Sequence, residues 1–76
     1  MTTEDSLAKI MNALKDMNVD IQVLDADTKF YEIPNMDSMS IVDFQINLKN
    51  HVGDKADEIV PLMEMSLGDL AELLIS

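Results

Sequence analysis

Apolar residues recur at helical spacing in three stretches of the chain. From Thr3 to Met17, Leu7, Ile10, Met11, Leu14 and Met17 are spaced 3, 1, 3 and 3 apart, the one-sided repeat of a 3.6-residue helix. Glu4 and Asp5 fall in its first turn and Lys15 in its last, matching the helix macrodipole, and Thr2 or Thr3 is the candidate N-cap. A second helix runs from Ser38 to His51 with neither Gly nor Pro inside it. Val52-Gly53 then supplies a stop, with Gly53 near the first position past the helix end. A third helix follows Ser66, with Leu67, Leu70, Ala71 and Leu74 on one face. Ser66 and Asp69 have the spacing of a capping box, Asp standing for the usual Glu. Between the second and third helices, Ala56 to Val60 has room for one or two helical turns before Pro61 interrupts.

The stretch from Asn18 to Met36 is less regular. Val19, Ile21 and Val23 alternate with Asp20 and Gln22, locally the pattern of a strand, but no second run of that type exists to pair with it. The better reading is a long ordered connection whose apolar residues, Val19, Ile21, Leu24, Phe30, Tyr31 and Ile33, pin it onto a helical core. Loops of this length inside a small domain are uncommon and often functional. Pro34 keeps Ile33 out of the helical region and delays the next helix. The pattern as a whole predicts an all-α fold in a single domain over residues 1–76: a small four-helix bundle, three main helices plus one short helix, with a long ordered first loop.

The helix from Ser38 carries two apolar stripes. At about 100° per residue, Met39, Val42 and Ile46 lie within roughly 60° of one another, while Ile41, Phe44, Leu48 and Val52 occupy the nearly opposite side. A surface helix needs only one such stripe. The longer stripe, which holds the aromatic ring, is the core candidate. Met39, Val42 and Ile46, beside Asp43, are then expected to face solvent as a partner-docking surface.

Composition narrows the partners. The 76 residues include 15 Asp and Glu against 5 Lys and no Arg, for a net charge of −10. That sign disfavours nucleic acid and anionic lipid, and favours basic docking surfaces on other proteins. At 47% hydrophobic residues the chain is too apolar for a disordered acidic tail. No Cys is present for a disulfide, and one His cannot build a metal cage. The start of the chain lacks the features of a signal peptide, and no apolar run reaches membrane-spanning length. The expectation is a cytoplasmic monomer with no membrane or nucleic-acid partner.

Candidate chemistry is sparse. Asp37-Ser38-Met39 opens the second helix, and Asp and Ser are ordinary residues at helix starts; Asp5-Ser6-Leu7 opens the first helix in the same way. Asp25-Ala26-Asp27 hints at a calcium loop but lacks Gly at the sixth position and Glu at the twelfth, so a solvated acidic turn is expected. Met11, Met17, Met63 and Met65 are expected to fill core space, and their flexible thioethers suit an adaptable interior. His51 sits at a helix end, where the dipole is negative.

What distinguishes Ser38 from Ser6 is its setting. It follows the long connection and starts the two-faced helix of a small acidic helical domain, and there the sequence resembles an acyl carrier protein. Asp37-Ser38-Met39-Ser40-Ile41-Val42-Asp43-Phe44 is similar to that family's Asp-Ser-Leu-Asp-x-Val-Glu-Leu run, with Met for Leu, Ser40 for an acid and Asp43 for the Glu. Met65-Ser66-Leu67-Gly68-Asp69-Leu70 is similar to the family's Thr-Thr-Val-Gly-Asp-Leu opening of its last helix, and Ser66 stands 28 positions after Ser38. The resemblance extends from the first helix to the last. Two departures stand out. Pro34-Asn35-Met36 replaces the family's Leu-Gly-x, with Asn35 able to adopt the left-handed geometry that Gly offers. Lys49-Asn50-His51 stands where an acidic cluster often ends the family's second helix, which shifts partner choice toward the apolar stripe and Asp37 and Asp43.

The resemblance implies a covalent cofactor, 4′-phosphopantetheine donated by coenzyme A and attached to Ser38, with Asp37 as its motif neighbour. The arm would hold acyl groups as thioesters. Implied partners are a phosphopantetheinyl transferase and the acyl-transferring and condensing enzymes of fatty-acid or polyketide biosynthesis. The chain is expected to be a carrier rather than an enzyme: His51 lies about 20 Å along the helix from Ser38, and no Cys, His–carboxylate pair or glycine-rich loop is evident. Two other readings remain open at this point, a carrier of aminoacyl or peptidyl groups and an unmodified acidic interaction domain.

Overall fold

The computed structural model describes residues 2–34 and 36–75, so the left-handed geometry expected at Asn35 lies outside the described residues. Helix α1 spans Thr3–Asp16, α2 Ser38–Val52 and α3 Leu67–Ile75. Three short 3-10 segments, Ile21–Val23, Phe30–Glu32 and Gly53–Glu58, lie between them, and no strand forms among the described residues.

Each α-helix is delimited by local chemistry. Thr2 caps α1: the Asp5 N–H donates to Thr2 Oγ1 at 3.1 Å, and Asp5 returns the interaction to the Thr2 N–H. At the other end Asn18 takes φ 66°. Its N–H donates to the Lys15 carbonyl while the Val19 N–H donates to that of Leu14, the Schellman arrangement that satisfies the last carbonyls of a helix. Ser66 and Asp69 form the expected box ahead of α3, with bonds of 3.1 and 3.3 Å. Gly53 ends α2 at φ 74°, a conformation that costs glycine little.

The buried face of α1 is Ser6, Ile10, Ala13 and Leu14, with Leu7, Met11 and Met17 at its edges. The apolar count centred that face slightly to one side, because α1 packs against both α2 and α3. Small residues at Ser6 and Ala13 set how closely neighbouring helices approach. From α3, Leu67, Leu70, Ala71 and Leu74 are all buried, as the spacing predicts. Phe30 and Phe44 meet edge-on in the core, ring centroids 5.2 Å apart at 61°, a favoured aromatic geometry. Met36 joins this core, whereas Met11, Met17, Met63 and Met65 pack around its margin.

The first connection is ordered, but differently from the apolar-anchor reading. Phe30 and Ile33 are buried and Val19, Ile21 and Leu24 are partly so, whereas Tyr31 is exposed and is no anchor. Backbone bonds complete the attachment. The N–H groups of Phe30 and Tyr31 donate to the Met65 and Met63 carbonyls, and those of Leu67 and Gly68 donate to Thr28 and Ala26. The loop therefore runs along the segment leading into α3. The Val19–Val23 alternation makes a single 3-10 turn capped by Asp20, since a strand without a partner leaves its ladder groups unpaired.

The short fourth helix expected over 56–60 is instead the 3-10 segment Gly53–Glu58, which starts directly at the end of α2. Ile59 is already extended, and Pro61 disfavours helical geometry at Val60. Gln45 of α2 holds this segment, its amide donating to the Ile59 carbonyl at 2.8 Å, and Ala56 plugs into the core. Among the described residues the architecture is thus three α-helices with short 3-10 segments between them.

Candidate functional site: the head and outer face of α2

Asp37 is the N-cap of α2, and the Ser40 N–H donates to its Oδ1 at 2.9 Å. That bond, followed by one from the Ser40 hydroxyl, holds the Asp37 carboxyl below its ordinary range, because a bonded anion resists protonation. Ser38 is the first helical residue and is exposed. Its counterpart in the repeated tripeptide, Ser6, is fully buried and donates to the Ala71 carbonyl at 2.9 Å. The two Asp-Ser pairs, alike in sequence, are opposite in access. Ser6 lies one turn inside α1, on the face covered by α3, whereas the residue ahead of Ser38 is itself the cap.

The two stripes of α2 separate as the angles predict. Ile41, Phe44 and Leu48 are buried and Val52 is partly buried. Met39, Val42 and Ile46 are 78%, 55% and 61% exposed, three large apolar side chains in a row descending from Ser38. Asp43 lies exposed among them, and its backbone carbonyl accepts from the Asn47 amide at 2.9 Å.

Two hollows flank this face. One, of about 300 Å³, lies between the end of α1 and the head of α2, walled by Met17, Val19, Val23, Pro34 and Met36 with Ser40 at its edge. The other, of about 360 Å³, continues the stripe past Val42 and Ile46 to Gln45, Lys49 and Asp57. Lys49 pairs with Asp57 at 2.8 Å, and that bond raises the Lys49 pKa above its ordinary value. Among the described residues lining this hollow, the one basic side chain is thereby already engaged by an acid of the same chain. His51 is turned toward α1 instead, its Nε2 2.8 Å from Asp16 Oδ2, a His–carboxylate contact that the sequence does not reveal because its partners lie on different helices, while Lys9 donates to the His51 carbonyl.

No family model, curated protein or solved structure matches this chain. The geometry of the site therefore stands on its own residues. Gln45, Asp57 and Met36 are the parts that sequence spacing did not supply. Asp57 and Gln45 come together only because the 3-10 segment folds back on α2, and Met36 was masked by its place in a polar turn. Asp25 accepts from the Asp27 N–H at 2.9 Å in a closed acidic turn. Among the described residues no group of three or more His, Cys, Asp or Glu is placed to hold a metal ion, and no helix is long and apolar enough to cross a membrane.

Proposed function

We propose that this protein is a carrier that holds acyl groups as thioesters on a 4′-phosphopantetheine arm attached to Ser38, and presents them to partner enzymes of fatty-acid or polyketide biosynthesis in the cytoplasm. The observation that carries the reading is the contrast between the two Asp-Ser pairs: Ser38 is open at the head of an exposed apolar stripe, while Ser6 is sealed inside. In this reading the Gly53–Glu58 segment takes the place of the short helix of a four-helix bundle.

The attachment chemistry suits the position. The Ser38 hydroxyl oxygen attacks the pantetheine-bearing phosphorus of coenzyme A, the pyrophosphate P–O bond breaks, and adenosine 3′,5′-bisphosphate leaves. A base of the transferase takes the hydroxyl proton. The product phosphodiester sits at a helix start, where the dipole favours negative charge. Partner docking falls to Met39, Val42 and Ile46, the apolar contact, and to Asp37 and Asp43, the charges that attract basic surfaces. The carrier itself performs no bond chemistry, so the working groups belong to its partners.

Incubation with coenzyme A, Mg²⁺ and a broad-specificity phosphopantetheinyl transferase tests this reading. Intact mass is expected to rise by one phosphopantetheine group in the natural chain and in Ser6→Ala, but not in Ser38→Ala. An unchanged mass in the natural chain leaves Ser38 as a helix-start residue of an acidic interaction domain.

A further inference from the structure

A second exposed apolar patch shares no residue with the α2 stripe. It is a shallow groove of about 540 Å³ where the segment before α3 folds along the outer side of that helix. Leu62, Met65 and Leu73 form its apolar part, with Leu62 58% and Leu73 41% exposed. Asp69, Glu72 and Leu73 share one helix face through their three- and four-residue spacing, and Glu64 stands across from them on the incoming segment. The lining is thus three apolar residues and three carboxylates, with no cation.

The carboxylates are not spoken for by the chain's own lysines. Among the described residues Lys49 pairs with Asp57, Lys55 pairs with Glu58 and His51 contacts Asp16, and none of these contacts involves a residue of this groove. Asp69 has local work in the box with Ser66. Glu64 and Glu72 are exposed and serve no such bond. Like charges gathered around an apolar trough repel one another, and an incoming cation relieves that repulsion.

We propose that this groove is a second docking surface, for a basic amphipathic helix of a partner protein. Its apolar side chains would lie on Leu62, Met65 and Leu73, and its Lys or Arg residues would meet Glu64, Asp69 and Glu72. Charge selects this occupant over the alternatives. A second copy of the chain brings a net charge of −10 with only five Lys, and an anionic membrane brings the same sign, so both are repelled. The patch is small for a permanent interface, so docking here is transient and salt-sensitive. It does not depend on whether Ser38 carries an arm.

The probe is a synthetic helical peptide with leucine on one face and lysine on the other, titrated into the full chain and into Ser38→Ala. Amide chemical shift changes are expected to centre on residues 62–65 and 69–73 in both proteins. Reversing two charges in Glu64→Lys/Glu72→Lys is expected to weaken binding about tenfold or more. Leu73→Ser weakens it as well. Circular dichroism checks that each variant is folded, and both reversed positions are exposed. The proposal is overturned if the shifts centre on the α2 stripe or the Asp25–Asp27 turn. It is equally overturned if the double reversal binds as before, if a peptide with serine for leucine binds as well, or if sedimentation shows self-association closing the groove.

Discussion

The Ser6 hydroxyl donates to the Ala71 carbonyl oxygen at 2.9 Å, joining the first turns of α1 to α3 across 65 residues of sequence. Ser6 has no exposed surface. The bond assigns this serine to the core, and leaves Ser38 as the Asp-Ser hydroxyl that another protein can reach.

Ser6→Ala is therefore expected to lower unfolding free energy by about 1 kcal/mol, the usual net worth of one buried hydrogen bond. Ser38→Ala is expected to shift it by less than about 0.5 kcal/mol, as for an exposed position. Urea unfolding followed by circular dichroism compares the two. The reverse order would place Ser38 in the fold's support instead of on its surface.

The two sides of α2 should respond unequally. Phe44→Ala removes a buried ring in edge contact with Phe30 and is expected to cost roughly 3–5 kcal/mol. Val42→Asp and Ile46→Asp change exposed positions and are expected to move stability by about 0.5 kcal/mol or less, while slowing modification by the transferase. Melting curves and modification rates measured on the same samples separate the effects. Unfolding of the Asp variants would show that the stripe supports the core.

Gly68 lies at the start of α3 against the first connection. A Cβ there would stand 3.0 Å from the Ala26 carbonyl oxygen and 3.2 Å from the Ala26 Cβ, and the Gly68 N–H already donates to that same oxygen at 2.8 Å. Alanine in a helix normally gains up to about 1 kcal/mol over glycine. Here Gly68→Ala is expected to destabilise instead, because Ala26 sits between the bonds of the Asp25 turn and cannot yield freely. A raised melting temperature in Gly68→Ala would show that the connection is looser than these bonds indicate.

The Asp37 cap gives acid sensitivity a definite sign. Its carboxyl lies below the ordinary 3.8 because the Ser40 N–H bonds the charged form. The stabilisation it contributes is present above 3.8 and is lost as pH falls through the lowered value. Asp37→Asn keeps a capping oxygen without the titration, so its stability is expected to fall less steeply than the natural chain's on that acid limb. Parallel slopes would mean that the cap carries no charge-dependent part.

Lys49 works in the opposite direction. The bond and charge of Asp57 raise its pKa above 10.5, so its contribution is complete below 10.5 and fades as pH rises through the raised value. Lys49→Gln is expected to remove that alkaline loss, read from melting temperature against pH. An unchanged alkaline limb would mean that the pair adds nothing to stability.

Much of the site was legible in one dimension because its causes are local. The Asp37 cap, the two stripes of α2 and the Ser66–Asp69 box each depend on residues within a few turns of one another. Tyr31 departs from that pattern: an aromatic directly after Phe30 looks like an anchor, yet the 3-10 turn at Phe30 buries that ring and turns the next one out beside Glu32. The short helix is shifted toward α2 because the 3-10 segment starts directly at Gly53 and the chain is already extended at Ile59, ahead of Pro61.

The sequence by itself determined the three α-helices, the Asp37 and Ser66 caps and the exposed apolar face of α2, since periodicity, capping and proline sterics act over a few residues. Tertiary structure decided which serine stays accessible, where the first connection lies and which acids meet Lys49 and His51. Those outcomes rest on partners outside each residue's own segment: Ala71 for Ser6, Met63 and Met65 for the loop, Asp57 for Lys49 and Asp16 for His51. Burial and long-range hydrogen bonding belong to the assembled neighbourhood, and no single segment contains it.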